Sequence, residues 1–265
     1  MLRRLAPALI VMLAVLAACQ GTPALTDPAE IIAQGFDATA DLKTFHVSVA
    51  VDGTVTMPET GGTFSLEGTT LEADIDIEGE QLSFSFAVPA MMGLNGDLRI
   101  IGQDAWVKVS MLGTKWQHMD LGEFLPGESG APSAIASPDI QAIIDEVRDF
   151  LGKDGVVTTK EEDVNCGDRK CYHVQVTIPP EVMTDAGGDA VPSFDPSTIF
   201  GDALVLDLLF DRENLWLTEV ATSVDSETAG TFSARVTFSA FDAEVTVSPP
   251  PSADVTEGEF TLPGF

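Results

Sequence analysis

The chain is short of positive charge. Its 265 residues hold 13 Lys and Arg against 42 Asp and Glu, a formal net charge of −29. So acidic a surface repels phosphate backbones and anionic headgroups alike, which disfavours nucleic-acid binding. It also means that a basic patch is not what holds the protein at a membrane. Histidine is scarce as well: His46, His118 and His173 are the three, and each reads as a surface residue on a strand. No G-x-S-x-G, H-E-x-x-H, Walker loop or G-x-G-x-x-G occurs, so no catalytic motif and no cofactor site is recognisable. Asp74-Ile75-Asp76-Ile77-Glu78-Gly79 briefly imitates a calcium loop, but its twelfth position is Ser85 where a bidentate glutamate is required. That stretch reads as a solvated strand edge, and Asp195, Asp202, Asp207 and Asp211 receive the same reading. The expectation is a non-enzyme with no metal.

Long apolar runs are also missing, with one exception at the start. Arg3 and Arg4 precede an apolar run from Leu5 to Ala18, closed by Leu16-Ala17-Ala18-Cys19. A spanning helix needs about 20 apolar residues, and this run is shorter. A basic n-region, a short apolar h-region and small residues before a break point read as a signal peptide. Leu-Ala-Ala-Cys resembles the bacterial lipobox, in which the cysteine is acylated and becomes the first residue. Residues 1–18 are thus expected to be a lipoprotein signal peptide, Cys19 the lipid anchor and 19–27 a short tether. The expected location is the cell membrane, on the extracytoplasmic face.

Only two further cysteines exist, Cys166 and Cys171. In an exported chain so close a pair reads as a disulfide clamping a hairpin turn. The rival is a zinc site using His173, which would offer at most three ligands and lacks a second pair.

What the chain does have is alternation. Asp27-Pro28 begins a helical pattern with Ile31, Ile32, Phe36 and Ala40 on one face. Period two then takes over, with Phe45, Val47, Val49 and Val51 on one parity and His46, Ser48 and Asp52 on the other. Phe64 and Leu66 switch parity across Gly68 to Leu71, Ala73 and Ile75, the mark of a bulge. Leu82, Phe84, Phe86 and Val88 follow; Leu98–Ile101, Ala105–Met111 and a short strand after Trp116 continue the pattern. After a Gly/Pro/Ser-rich loop, Ser137-Pro138 caps a second helix carrying Ile140, Ile143, Ile144, Val147, Phe150 and Leu151. Strands resume at Val156–Val164 and Tyr172–Ile178, and Pro179–Pro196 reads as a long acidic loop. Leu204, Leu206, Leu208 and Phe210 alternate, then Leu215–Val224, Phe232–Phe238 and a last strand Glu244–Val247 before Pro249-Pro250-Pro251.

About eleven strands and two helices make an α+β domain over residues 28–265, with short turns implying an antiparallel sheet. A sheet of that many strands is roughly 50 Å wide at about 4.8 Å spacing, and two helices cover less than half of it. The uncovered apolar face must curl, giving a strongly curved half-barrel wrapped around the helices. Its concave side is either a packed core or a greasy cavity, and a greasy cavity beside a membrane suggests an acyl-chain ligand.

Lys43-Thr44-Phe45-His46-Val47-Ser48-Val49 after the first helix resembles the opening of the LppX/LprA/LprF/LprG-type bacterial lipoproteins. Ala105-Trp106-Val107-Lys108 with Trp116 and Met119-Asp120-Leu121-Gly122 is similar too, as is the strand–aspartate–strand–proline segment from Val236 to Pro249. The resemblance implies a curved antiparallel half-barrel, similar to the periplasmic lipoprotein carriers, and a role in binding or moving acylated lipid or glycolipid. The cysteine pair and the acidity are departures from that pattern. The residues expected to line a cavity are Phe84, Phe86, Val88, Met91, Met92, Leu204, Leu206 and Phe210, with residues 179–196 at its mouth. The alternative on the same fold is an envelope interaction or sensory module that docks a protein partner.

Overall fold

The computed structural model describes residues 24–56, 61–121, 140–187, 196–226 and 229–256. The signal segment, Cys19, the Ser137-Pro138 cap, Asp195 and residues 188–195 of the expected mouth lie outside these.

The first helix, α1 (Pro28–Ala40), starts where Asp27 Oδ1 accepts the Ala29 amide at 2.9 Å and Pro28 fixes the first helical residue. Its Ile31, Ile32, Gly35 and Phe36 are buried. A meander follows: β1 (Thr44–Thr56), β2 (Thr63–Ser65), β3 (Thr69–Asp76), β4 (Gln81–Val88), β5 (Leu94–Ile101), β6 (Asp104–Val109) and β7 (Trp116–Asp120). Helix α2 (Ile140–Leu151) leads to β8 (Val157–Lys160), β9 (Val164–Cys166) and β10 (Arg169–Ile178). Helices α3 (Pro180–Gly187) and α4 (Pro196–Phe200) precede β11 (Leu204–Asp211), β12 (Leu217–Ser226), β13 (Gly230–Ser239) and β14 (Val255–Thr256).

All fourteen strands join one open sheet, in the order β14-β7-β6-β5-β4-β3-β1-β13-β12-β11-β10-β8, with β2 beside β1 and β9 beside β10. Pairing is antiparallel except where β14 runs parallel to β7, Val255 facing Trp116. The fold is the curved α+β half-barrel that the alternation predicts, with more strands than eleven. Two predicted strands each divide in two. At Gly68 the expected bulge is present and interrupts the strand: residues 66–68 stand against Asp52 and Gly53 of β1, φ of Gly68 is +72°, its amide bonds Asp52 Oδ1, and β2 and β3 pair with β1 on either side. The predicted strand Val156–Val164 divides into β8 and β9.

Three further expectations are corrected. Residues 180–187, read as loop, are helical, and a further short helix spans Pro196–Phe200; Pro180 is a good first helical residue and Val182 is buried against the core. Glu244–Val247 is not a strand. Residues 240–250 instead form a strap over the outer face, where the Val247 amide bonds Gln81 Oε1 and Arg99 Nη1 bonds the Ser248 carbonyl. Asp211 is not solvated but fully buried, accepting the Glu213 and Asn214 amides at 2.7 and 2.9 Å with Arg169 Nη1 at 3.2 Å. It closes the β11–β12 turn from inside.

Candidate functional site

The registers place one parity of every long strand on one face. Phe238, Val47, Ala73 and Phe84 lie side by side across β13, β1, β3 and β4; Val236, Val49, Leu71 and Phe86 form the next row. The rows run on through Leu98 and Val107 on β5 and β6, and through Val220, Leu208 and Val174 on β12, β11 and β10. This is the inner face, because α1 sits on it. Phe36 meets Phe210 edge-on with ring centroids 5.9 Å apart, the Leu25 amide bonds the Tyr172 hydroxyl, and Thr39 Oγ1 accepts the Leu217 amide. Tyr172, Phe210 and Leu217 belong to successive strands, so α1 crosses the strands rather than following them.

The helices divide this face. Over β10–β12 the core is filled: Val174, Val176, Ile178, Leu208, Phe210 and Leu217 are buried with Ile31, Ile32, Phe36 and Ile144. A Cβ built on Gly35 would meet the Phe210 ring at 2.3 Å, which shows how closely helix and sheet approach. A smaller core of Ile100, Ala105 and Leu121 closes the far end. Between them, over β13, β1, β3 and β4, Val47, Val49, Val51, Leu71, Ala73, Phe84, Phe86, Ala234 and Val236 are only half-buried. Among the described residues that band is an apolar trough roughly 20 Å wide and about 25 Å long, from strand spacing and rise.

The structure distributes the predicted lining residues over three places. Phe84 and Phe86 stand in the trough, ring centroids 6.0 Å apart, and Val88 continues their row to the end of β4. Phe210 is sealed under α1, and Leu204 and Leu206 pack against the same core. Met91 and Met92 stand on the β4–β5 turn beyond the trough, 48% and 93% exposed. Val47, Val49, Leu71, Ala73 and Val236 line the trough without having been predicted to. Their alternation marks them as inward-facing, but only the pairing order, which sets β13 and β1 beside β3, makes them lining.

The outer face is polar and carries all three histidines, each against a cross-strand carboxylate. His118 Nε2 lies 2.6 Å from Asp104 and His173 Nε2 lies 2.8 Å from Asp207. His46 has one on each ring nitrogen, Asp74 at 2.8 Å and Glu72 at 2.9 Å. Partial burial works against its charged form, but the bonds and charges of Asp74 and Glu72 outweigh it and raise its pKa above the ordinary imidazole value. His46, Asp74, Ser83 and Arg99 line a polar hollow of about 390 Å³ under the strap. Cys166 and Cys171 are joined as a disulfide, across the β9–β10 turn. Among the described residues no group of three His, Cys, Asp or Glu could hold a metal ion, and no helix is long and apolar enough to cross a membrane.

No family model and no curated protein matches the chain. Solved structures do. LprF from Mycobacterium bovis is similar with a TM-score of 0.51 and 17% identity, over 84% of this chain and 96% of that one. The Mycobacterium tuberculosis lipoprotein LppX is similar at 0.48 and 16%, over 83% and 97%. The likeness to LprF is one of fold, and the resemblance carried by the sequence motifs is to the same group.

Proposed function

We propose that this protein is an exported lipoprotein, anchored through Cys19 on the extracytoplasmic face of the cell membrane, that binds an acylated lipid or glycolipid and carries or shields it in the envelope. The observation that carries the reading is the half-buried trough. A continuous apolar face left partly wet is disfavoured unless something occupies it. Each methylene an acyl chain buries there contributes about 0.8 kcal/mol, so a chain of ordinary length binds without any polar contact. The lipobox and the fold shared with LprF point the same way. The polar hollow under the strap offers an acyl chain nothing comparable.

Native mass spectrometry of the domain beginning after Cys19, followed by solvent extraction, tests this. A discrete added mass that extracts as an acylated lipid is the expected result. Ala73→Trp, which sets an indole between Val47 and Phe84, should then abolish it while leaving the fold intact. A clean apo mass, with no uptake from added lipids, would overturn the reading in favour of a module that docks a protein partner.

A further inference from the structure

Four of the six large apolar side chains most exposed among the described residues stand at one spot. Met91 and Met92 are on the β4–β5 turn; Met111 and Leu112, 69% and 40% exposed, are on the β6–β7 turn. Antiparallel order puts both turns at the same end of the sheet, and the Asn95 and Ser110 backbones tie them together: the Ser110 amide bonds the Asn95 carbonyl at 2.9 Å, and Ser110 Oγ accepts the Asn95 amide at 3.1 Å. Each turn is closed by its own backbone bonds, Gly93 to Pro89, Leu94 to Met91 and Leu112 to Val109. The side chains are therefore held outward by a built turn.

The charge pattern sets the spot apart, and the backbone at Met92, one of five non-glycine residues with positive φ among those described, adds to it. Met92 has φ +55°, in the left-handed region where Gly, Asn or Asp would cost less. A turn needing only to reverse the chain and stay wet gains nothing from methionine there. The charge pattern differs as well. In a chain of net charge −29, residues 88–96 carry no charged side chain, and residues 105–119 carry Lys108 and Lys115 with no Asp or Glu. Glu67, on the turn whose Gly68 adjoins Pro89, bounds the patch. The tip is also continuous with the trough: Val88 faces Leu94 at the base of the turn, and Phe86 lies over Gly96 in the next inward row.

We propose that the paired turns are a membrane-contacting tip, which seats Met91, Met92, Met111 and Leu112 among lipid acyl chains and opens the trough to them. An apolar patch whose own turns hold no acid, with Lys115 beside it and Lys108 paired to Asp97 at 2.9 Å at its base, suits a bilayer surface better than the acidic rest of this molecule does. The purpose of the contact rests on the lipid-carrier reading; its detection does not.

The full, lipid-anchored chain reconstituted in phosphatidylcholine–phosphatidylglycerol vesicles provides the test. An environment-sensitive fluorophore is placed at Met92→Cys or, on the turn at the opposite end of the sheet, at Gln103→Cys. The label at 92 should shift to the blue and be quenched by lipids bearing a nitroxide on the acyl chain, while the label at 103 reports water. Equal response at both positions, or none at 92, would overturn the proposal. Met92→Asp with Met111→Asp, at two exposed sites whose turns tolerate Asp, should slow uptake of a fluorescent phospholipid from vesicles by roughly tenfold for each methionine's burial lost, with lipid capacity at saturation unchanged. Unchanged uptake would count against the tip. A chain that never holds lipid would sink the carrier reading, yet a quenched label at 92 would still establish the contact.

Discussion

Phe210 and Phe84 obey the same rule of alternation and point to the same side of the same sheet. One is sealed beneath α1 and the other is only partly buried. The strands under them differ little in apolar content; what differs is the second layer. Where α1, with α2 packed against it, lies over β8 and β10–β12, the face is a core; beyond them, among the described residues, it is a trough. Alternation reports which way a side chain points. Only packing decides whether that direction holds protein or something else.

The widest contrast should come from truncating both rings. Phe210→Ala removes a fully buried side chain wedged against Phe36 and Gly35, and should cost about 3–5 kcal/mol in urea unfolding. Phe84→Ala should cost less, about 1–2 kcal/mol, since its ring is only partly buried and has no helix packed over it. Equal losses would mean that the trough is core after all. Next in size is the disulfide at the edge of the covered half. Cys166→Ser with Cys171→Ser should lower stability by about 2 kcal/mol, from the closure entropy of so short a loop, and leave lipid uptake unchanged.

Two glycines sharpen the comparison further. A Cβ on Gly35 would meet the Phe210 ring at 2.3 Å, and one on Gly96 would meet the Phe86 ring at 2.6 Å. Phe210 has nowhere to go, so Gly35→Ala should cost about 1–3 kcal/mol despite the better helix propensity of alanine. Phe86 borders the trough and can swing aside, which leaves a 3.0 Å approach to the Lys108 carbonyl, so Gly96→Ala should cost less than Gly35→Ala and show also as reduced lipid capacity.

The smallest effect belongs to the outer face. With its pKa raised in the folded state, His46 contributes stability that is fully present below the unfolded value near 6.5 and is lost as pH rises through the folded value. The difference between the parent and His46→Asn should therefore be largest near pH 6 and fade in alkali, amounting to under about 1 kcal/mol. A difference that grew with pH would reverse the assignment.

Much of this is legible in the sequence. Asp27-Pro28 marks the start of α1 to the residue, the Phe45–Val51 and Leu82–Val88 alternations mark β1 and β4 with the correct inward parity, and the Cys166–Cys171 spacing marks a bond that the structure contains. The rest depends on partners distant in sequence. Asp211 looks like any acidic turn residue until Arg169 arrives from β10. The alternation in Glu244–Val247 resembles that of a strand, yet the segment finds its partners in side chains, and becomes a strap held by Gln81 and Arg99. The trough lining is half legible for the same reason: Phe84 and Phe86 reveal themselves, but nothing local says that Val236 lies two strands from Leu71.

The place of β1 has a consequence for how the molecule is made. One of its edges is satisfied early by β3, within the same meander, while the other waits for β13, near the end of the chain. Until Gly230–Ser239 has been synthesised, a long strand edge of bare amides and carbonyls stands open to any segment that reaches it. Contacts of such sequence separation form slowly. A nascent copy is therefore most adhesive until β13 has emerged, and a chain cut short before residue 230 should aggregate instead of yielding a smaller working half.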